Sequence, residues 1–273
     1  MDLSGLTKPA TELIKSVSSA IGVLYEPTKI KRIAHAEAQT KVISANADIK
    51  AKELVNRAAY RFAVQEIRYQ ENIESILDAA VQSTNNKQIE HDVHLEHDFI
   101  INFFESCKNV SNPHLQSIWG KLLSDSATDE EEISKQTLDV LRVLSGKDAK
   151  VFQTYSSYLV ILNGIHFRPK IKYTNQQLAK NKISLGKVGH LDDLGLIRMD
   201  STFYFNEDLV VMTTTTGELV VNANSRIHVK GERLTLAGEQ IIKAIGKTST
   251  PELMAEFRKY IAPHCDFEDE GEY

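Results

Sequence analysis

Residues 174–205 read TNQQLAKNKISLGKVGHLDDLGLIRMDSTFYF. Thr174, Asn175, Gln176 and Gln177 are a polar start to a short helix containing Leu178. Ile183 and Ser184 then turn the chain, and Leu185, Val188, Leu191 and Leu194 recur at three-residue steps as the apolar face of a second helix. Gly195 stands where a helix C-terminus needs a left-handed residue. Residues 196–199 and 202–205 predict two strands joined by Asp200 and Ser201. Strands at 209–215, 218–221 and 226–230, with a turn at Thr216 and Gly217, precede a helix through 240–245. Helix, turn, helix, hairpin, helix is the winged-helix order, so residues 165–247 are expected to form an α+β winged-helix-like domain.

Upstream the texture is helical, and the fold class expected for the whole chain is mainly α. In residues 3–24 the apolar positions Leu3, Leu6, Ala10, Leu13, Ile14, Val17, Ile21 and Leu24 step by three and four. Such a stripe packs on the protein itself or lies on a membrane surface or partner. Residues 28–112 contain neither Gly nor Pro, so one long helix is expected up to about residue 82. Within it Val55, Phe62, Tyr69 and Ile76 are spaced by seven, a face for self-association or for a hairpin within one chain. Ser83, Thr84, Asn85 and Asn86 end that helix, and another is expected over residues 87–108. Asn112 before Pro113 starts a third, which carries Ile118, Trp119, Leu122 and Leu123 inward. Ser134 opens a fourth, and Ser145 with Asp148 has the form of a capping box for a fifth. The expected organisation is a helical, oligomerising segment over 1–82, a compact helical domain over 83–164, the winged domain over 165–247, and a short helix with an acidic tail over 248–273.

The chain has 273 residues, 42% of them hydrophobic and 25% charged, the balance of a globular protein. The formal net charge of -5 conceals basic flanks around an acidic middle. Residues 165–247 hold 12 basic against 8 acidic side chains. The last residues, Asp266, Glu268, Asp269, Glu270 and Glu272, are most simply a solvated end. No apolar run approaches the ~20 residues that span a bilayer. With no signal peptide and only two cysteines, Cys107 and Cys265, a cytoplasmic protein with free thiols is expected.

Catalytic signatures are missing. Gly246, Lys247 and Thr248 end like a phosphate-binding loop, but Ile241 occupies the position of its first glycine. No dinucleotide fingerprint or nucleophile elbow occurs, so neither enzymatic activity nor a cofactor is expected. His91, His94 and Asp98 would share one face of a helix at metal-ligand spacing, against the plainer reading of a solvated acidic surface. Lys180, Lys182, Lys187 and His190 on the helix pair, with Arg198 and Arg226 on or near the wing strands, are the candidates for nucleic-acid or partner contact. Asp192 and Asp193 would repel a phosphate backbone if they faced it.

Three stretches carry a family resemblance: residues 22–32 with Leu24, Tyr25, Pro27, Lys29, Ile30, Lys31 and Arg32; residues 116–123 around Trp119; and residues 137–152 with Thr137, Leu138, Leu141, Leu144, Asp148, Ala149 and Phe152. Together with Leu194 to Ile197 and with Leu234, Thr235 and Gly238, they resemble an uncharacterised bacterial family, a domain of unknown function, related to the abortive-infection alpha type. Where that family has a loop with small residues and a proline, residues 124–133 are acidic and lack proline. The resemblance implies an accessory or effector role in anti-phage defence. The expected function is thus a non-enzymatic oligomeric interaction or effector protein; the alternative is a winged-helix regulator that binds DNA.

Overall fold

The computed structural model describes residues 6–22, 53–87, 95–128, 133–205, 209–214, 217–224, 226–246 and 250–269. The chain forms two compact units, residues 1–132 and 133–273. Residues 133–164, which sequence reading grouped with the helical domain over 83–164, thus lie in the second unit.

The first unit contains α1 (Lys8–Ile21), α2 (Glu53–Asn85), α3 (His97–Cys107) and α4 (Pro113–Thr128). On α1, Leu13, Ile14 and Val17 are fully buried. Ala10, Leu13, Ile14 and Val17 of the stripe read over residues 3–24 are therefore used inside the unit, while Leu3 and Leu24 lie outside the described residues. Its N-terminal end is tied to α2, where the Thr7 amide donates to Asn85 Oδ1 at 2.8 Å. Helices α2 and α4 approach so closely that a Cβ on Gly120 would stand 2.5 Å from Ala79 Cβ and 2.7 Å from the Ile76 carbonyl oxygen. Only glycine permits that approach. Asn112 caps α4 as its sequence predicts, its Oδ1 accepting from the His114 and Leu115 amides at 3.0 and 3.2 Å. Trp119 is fully buried, edge-on to Phe103 with ring centroids 5.0 Å apart.

Two expectations for this unit change. The helix read over residues 87–108 is shorter: Glu96 is an extended N-cap and α3 begins at His97. The long helix is described only from Glu53, and residues 28–52 lie outside the described residues.

The second unit begins with α5 (Lys135–Val143), capped by Ser134, and α6 (Gly146–Ser156), which starts at the Ser145 and Asp148 capping box. The chain then turns into β1 (Val160–Leu162) and β2 (Ile165–Pro169). Sequence reading continued the helical domain to residue 164, through β1, and assigned no strand to either segment. The turn between the strands is Asn163 and Gly164, both left-handed at φ 47° and 76°, the pairing that a tight hairpin favours. Helices α7 (Lys172–Lys180) and α8 (Leu185–Asp193) follow.

β3 runs unbroken over Ile197–Phe205, in place of the two strands expected there. Asp200, left-handed at φ 55°, sits in a bulge between Arg198 and Ser201. β4 (Leu209–Thr214), β5 (Gly217–Ala223), β6 (Ile227–Leu234), α9 (Leu236–Ile245), α10 (Pro251–Ile261) and β7 (Cys265–Asp269) complete the unit.

All neighbouring strands pair antiparallel in the order β3-β6-β2-β1-β4-β5-β7. The start of the acidic tail is thus a strand, with Val221 opposite Phe267 in β5 and β7. Gly246, which resembled the end of a phosphate loop, is the left-handed cap of α9. No helix among the described residues is long and apolar enough to cross a membrane.

Candidate nucleic-acid interface

The α7–α8 pair is held to the sheet by a buried polar cluster. Arg168 on β2 and Glu232 on β6 are 3% and 0% exposed. Arg168 Nη2 and Nε donate to the two carboxylate oxygens of Glu232 at 2.7 and 2.5 Å. The remaining guanidinium nitrogen reaches α7, donating to Asn175 Oδ1 at 3.1 Å and to Thr174 Oγ1 at 3.4 Å. Tyr155 of α6 donates its hydroxyl to Glu232 Oε2 at 3.3 Å. Burial pushes the Tyr155 phenol far above its usual range, with the Glu232 charge adding to the effect. Burial alone would lower the Arg168 pKa, but the hydrogen bonds and charge of Glu232 outweigh it and push the guanidinium up. The cluster therefore keeps its ion pair and aligns α6, α7, β2 and β6.

Helix α7 buries Thr174 and Leu178, the turn buries Ile183, and α8 buries Val188 and Leu191. The turn is tight. Lys182 is left-handed at φ 56°, and the Ile183 amide returns to the Leu178 carbonyl at 2.8 Å. Ser184 caps α8 through the Lys187 amide. With the apolar side chains inward, Lys180, Lys182 and Lys187 all face solvent around this one turn. Lys187 Nζ also donates to the Lys182 carbonyl at 2.8 Å, which draws its charge toward the turn.

Of the other sequence candidates, His190 lies one turn along α8 from Lys187. His190 pairs with Asp148 of the α6 capping box at 3.4 Å. Arg198 lies directly across from Arg233 on β6, and both are exposed. Arg226 precedes the opposite end of β6, seven residues from Arg233 and so about 23 Å along the strand. Asp192, feared as a repulsive group, is half-buried and accepts the Met199 amide at 3.2 Å, at the end of α8 away from the lysines.

Arg233 was missed because the strand was read to stop at Lys230. Tyr204 and His228, a T-shaped pair 4.6 Å apart, were also missed, although the outward positions 228 and 230 alternate in the sequence. An open groove of about 460 Å³, with Lys182 in its wall, has Leu178, Ala179, Ile183, Leu185 and Val188 as its apolar lining. Leu185, at the first position of α8, is 73% exposed.

As for the metal candidates, His91 and His94 lie outside the described residues, while Asp98 is exposed in the first turn of α3. Leu95 and Glu96 are not helical, so one helix does not carry all three. Among the described residues no group of three His, Cys, Asp or Glu side chains is placed to hold a metal ion.

A family described as "protein of unknown function (DUF2806)" matches residues 56–258, from the first turn of α2 into α10. The chain belongs to the DUF2806 family. Its match includes the helix pair, the strands β3 and β6 that carry Arg198 and Arg233, and the buried Arg168–Glu232 cluster. No curated protein and no solved structure matches the chain.

Proposed function

We propose that residues 133–273 of this DUF2806 protein include a winged-helix-like module that binds nucleic acid through its phosphate backbone, with little reading of base sequence. The fold part of this reading rests on strand order. β2 precedes the helix pair, β3 and β6 follow it, and the order β3-β6-β2 is that of a winged helix with the β4–β5 hairpin inserted between the two wing strands. The functional part rests on the three exposed lysines around one turn, because a phosphate contact needs clustered cations and nothing more. Base readout favours Arg, Asn or Gln at the start of the recognition helix, and Leu185 and Gly186 stand there instead. The protein is on this reading a cytoplasmic binding protein rather than a catalyst.

Affinity for duplex DNA, followed by fluorescence anisotropy, is expected to fall steeply with salt, by a log-log slope of about 0.9 per neutralised phosphate. Lys180→Glu with Lys187→Glu should flatten that slope by about 2 units. Absence of binding at low salt, or a slope unchanged by the double variant, would overturn the proposal. A sequence-specific footprint would instead establish a regulator that reads bases.

The exposed Leu185 beside its apolar groove favours a second reading, in which the same face docks a protein. The abortive-infection resemblance adds to that reading an effector role in anti-phage defence. Here Leu185→Asp should abolish partner capture and leave the DNA salt slope intact.

A further inference from the structure

The seven-residue stripe on α2 is used in two different ways along its length. Counting Phe62 as the first core position of a heptad, the seam runs through Ala58, Phe62, Gln65, Tyr69, Asn72, Ile76 and Ala79. Its C-terminal part is occupied within the chain. Asn72 is bonded to Gln116 of α4 and to the Lys108 carbonyl, Ile76 is fully buried, and Ala79 lies against Gly120. Tyr69 is half-buried, with Lys108 Nζ 5.2 Å from its ring centre. Beyond it no described residue covers the stripe: Phe62 is 64% exposed, and Ala58 and Ala59 are exposed with it.

A seam that is filled by α4 at one end and continues, unfilled, in the same register needs a second helix for the remainder. We propose that this occupant is α2 of a second copy of the chain, packed parallel. Charge decides between copies and orientations. In this register Arg61 flanks the seam on one side and Glu66 on the other, and both are exposed. In a parallel pair a residue of the first kind meets the residue five positions further along the partner helix. Arg61 of one copy then faces Glu66 of the other, twice by symmetry. An antiparallel pair would bring the same-side flanks together and set the side bearing Arg61 and Arg68 of one copy against the same side of the other. The seam extends here over only about two heptads, so the association is weak and depends on protein concentration.

Light scattering of the full chain at about 100 µM, the range suited to so small a contact, should give twice the monomer mass and fall to the monomer on dilution. Phe62→Glu should leave the monomer at every concentration. Because that side chain is largely exposed, the variant's circular dichroism should be unchanged. Arg61→Glu should weaken the dimer at least tenfold, and Arg61→Glu with Glu66→Arg should restore it. Ala58→Cys tests orientation, since two thiols at equivalent seam positions oxidise to an intermolecular disulfide only in the parallel pair. Native Cys107 and Cys265 are buried. A monomer at 100 µM, with Phe62 shielded by another part of the chain, would overturn the proposal. So would a dimer that survives Phe62→Glu, or one that Ala58→Cys does not cross-link.

Discussion

Glu232→Ala is expected to destabilise the second unit by about 3 to 5 kcal/mol, because it leaves the Arg168 guanidinium buried without a counter-charge. The size of the effect follows from geometry. Both partners are at most 3% exposed, so water cannot replace the lost carboxylate without opening the sheet. Tyr155 would lose its acceptor at the same time. Arg168→Ala should cost less than Glu232→Ala paired with an intact arginine would suggest, since Glu232 keeps Lys170 within 3.4 Å. Replacing both by apolar residues, Arg168→Met with Glu232→Leu, should recover most of the loss, as buried ion pairs are often nearly neutral against well-packed hydrophobic substitutes. Urea titration of the three variants measures this. A Glu232→Ala loss below about 1 kcal/mol would mean that the pair is hydrated in solution. Since the cluster also fixes Asn175 and Thr174, Glu232→Ala should loosen α7 against the sheet and, if the proposed function holds, weaken DNA binding despite removing a negative charge.

Trp119→Ala is expected to cost the first unit about 3 to 5 kcal/mol, through the loss of a fully buried indole and the cavity left beside Phe103. Trp119→Phe should cost clearly less. It keeps an aromatic ring for the edge contact and removes an indole N–H that is buried and meets no acceptor among the described residues. Thermal unfolding followed by circular dichroism compares them. In the unchanged protein, resistance of its single tryptophan to an aqueous quencher checks the burial directly. Quenching of the folded protein, or a Trp119→Ala loss under about 1 kcal/mol, would show that this helix is not the anchor of its unit.

The features legible in the sequence are those closed by short-range hydrogen bonds. Asn112 before Pro113, Ser134, and Ser145 with Asp148 each bond a backbone amide two or three residues away, so the residue types alone located three helix starts. Residues 160–169 show where local reading misleads. The apolar run around them fits a helix as well as a strand, and Asn163 with Gly164 carried the deciding hairpin signal. The acidic β7 was illegible for a different reason. Its residues have low strand propensity, and only the edge of β5, more than forty residues earlier, supplies its hydrogen-bond partners.

The candidate interface divides along the same line. Sequence pattern located the turn between α7 and α8 and the lysines around it, because helical period and capping depend on neighbours within one or two turns, although α7 starts at Lys172, two residues before the polar run read as its beginning. Tertiary structure alone decided that Arg168 and Glu232, 64 residues apart, are one buried pair, and that Asp192 bonds to β3 instead of facing a ligand. It also decided that Arg198 stands beside Arg233, and where along α2 the cover given by the described residues ends. Burial and charge pairing are set by which distant segments meet, and that is a property of the packed chain, not of any window of sequence.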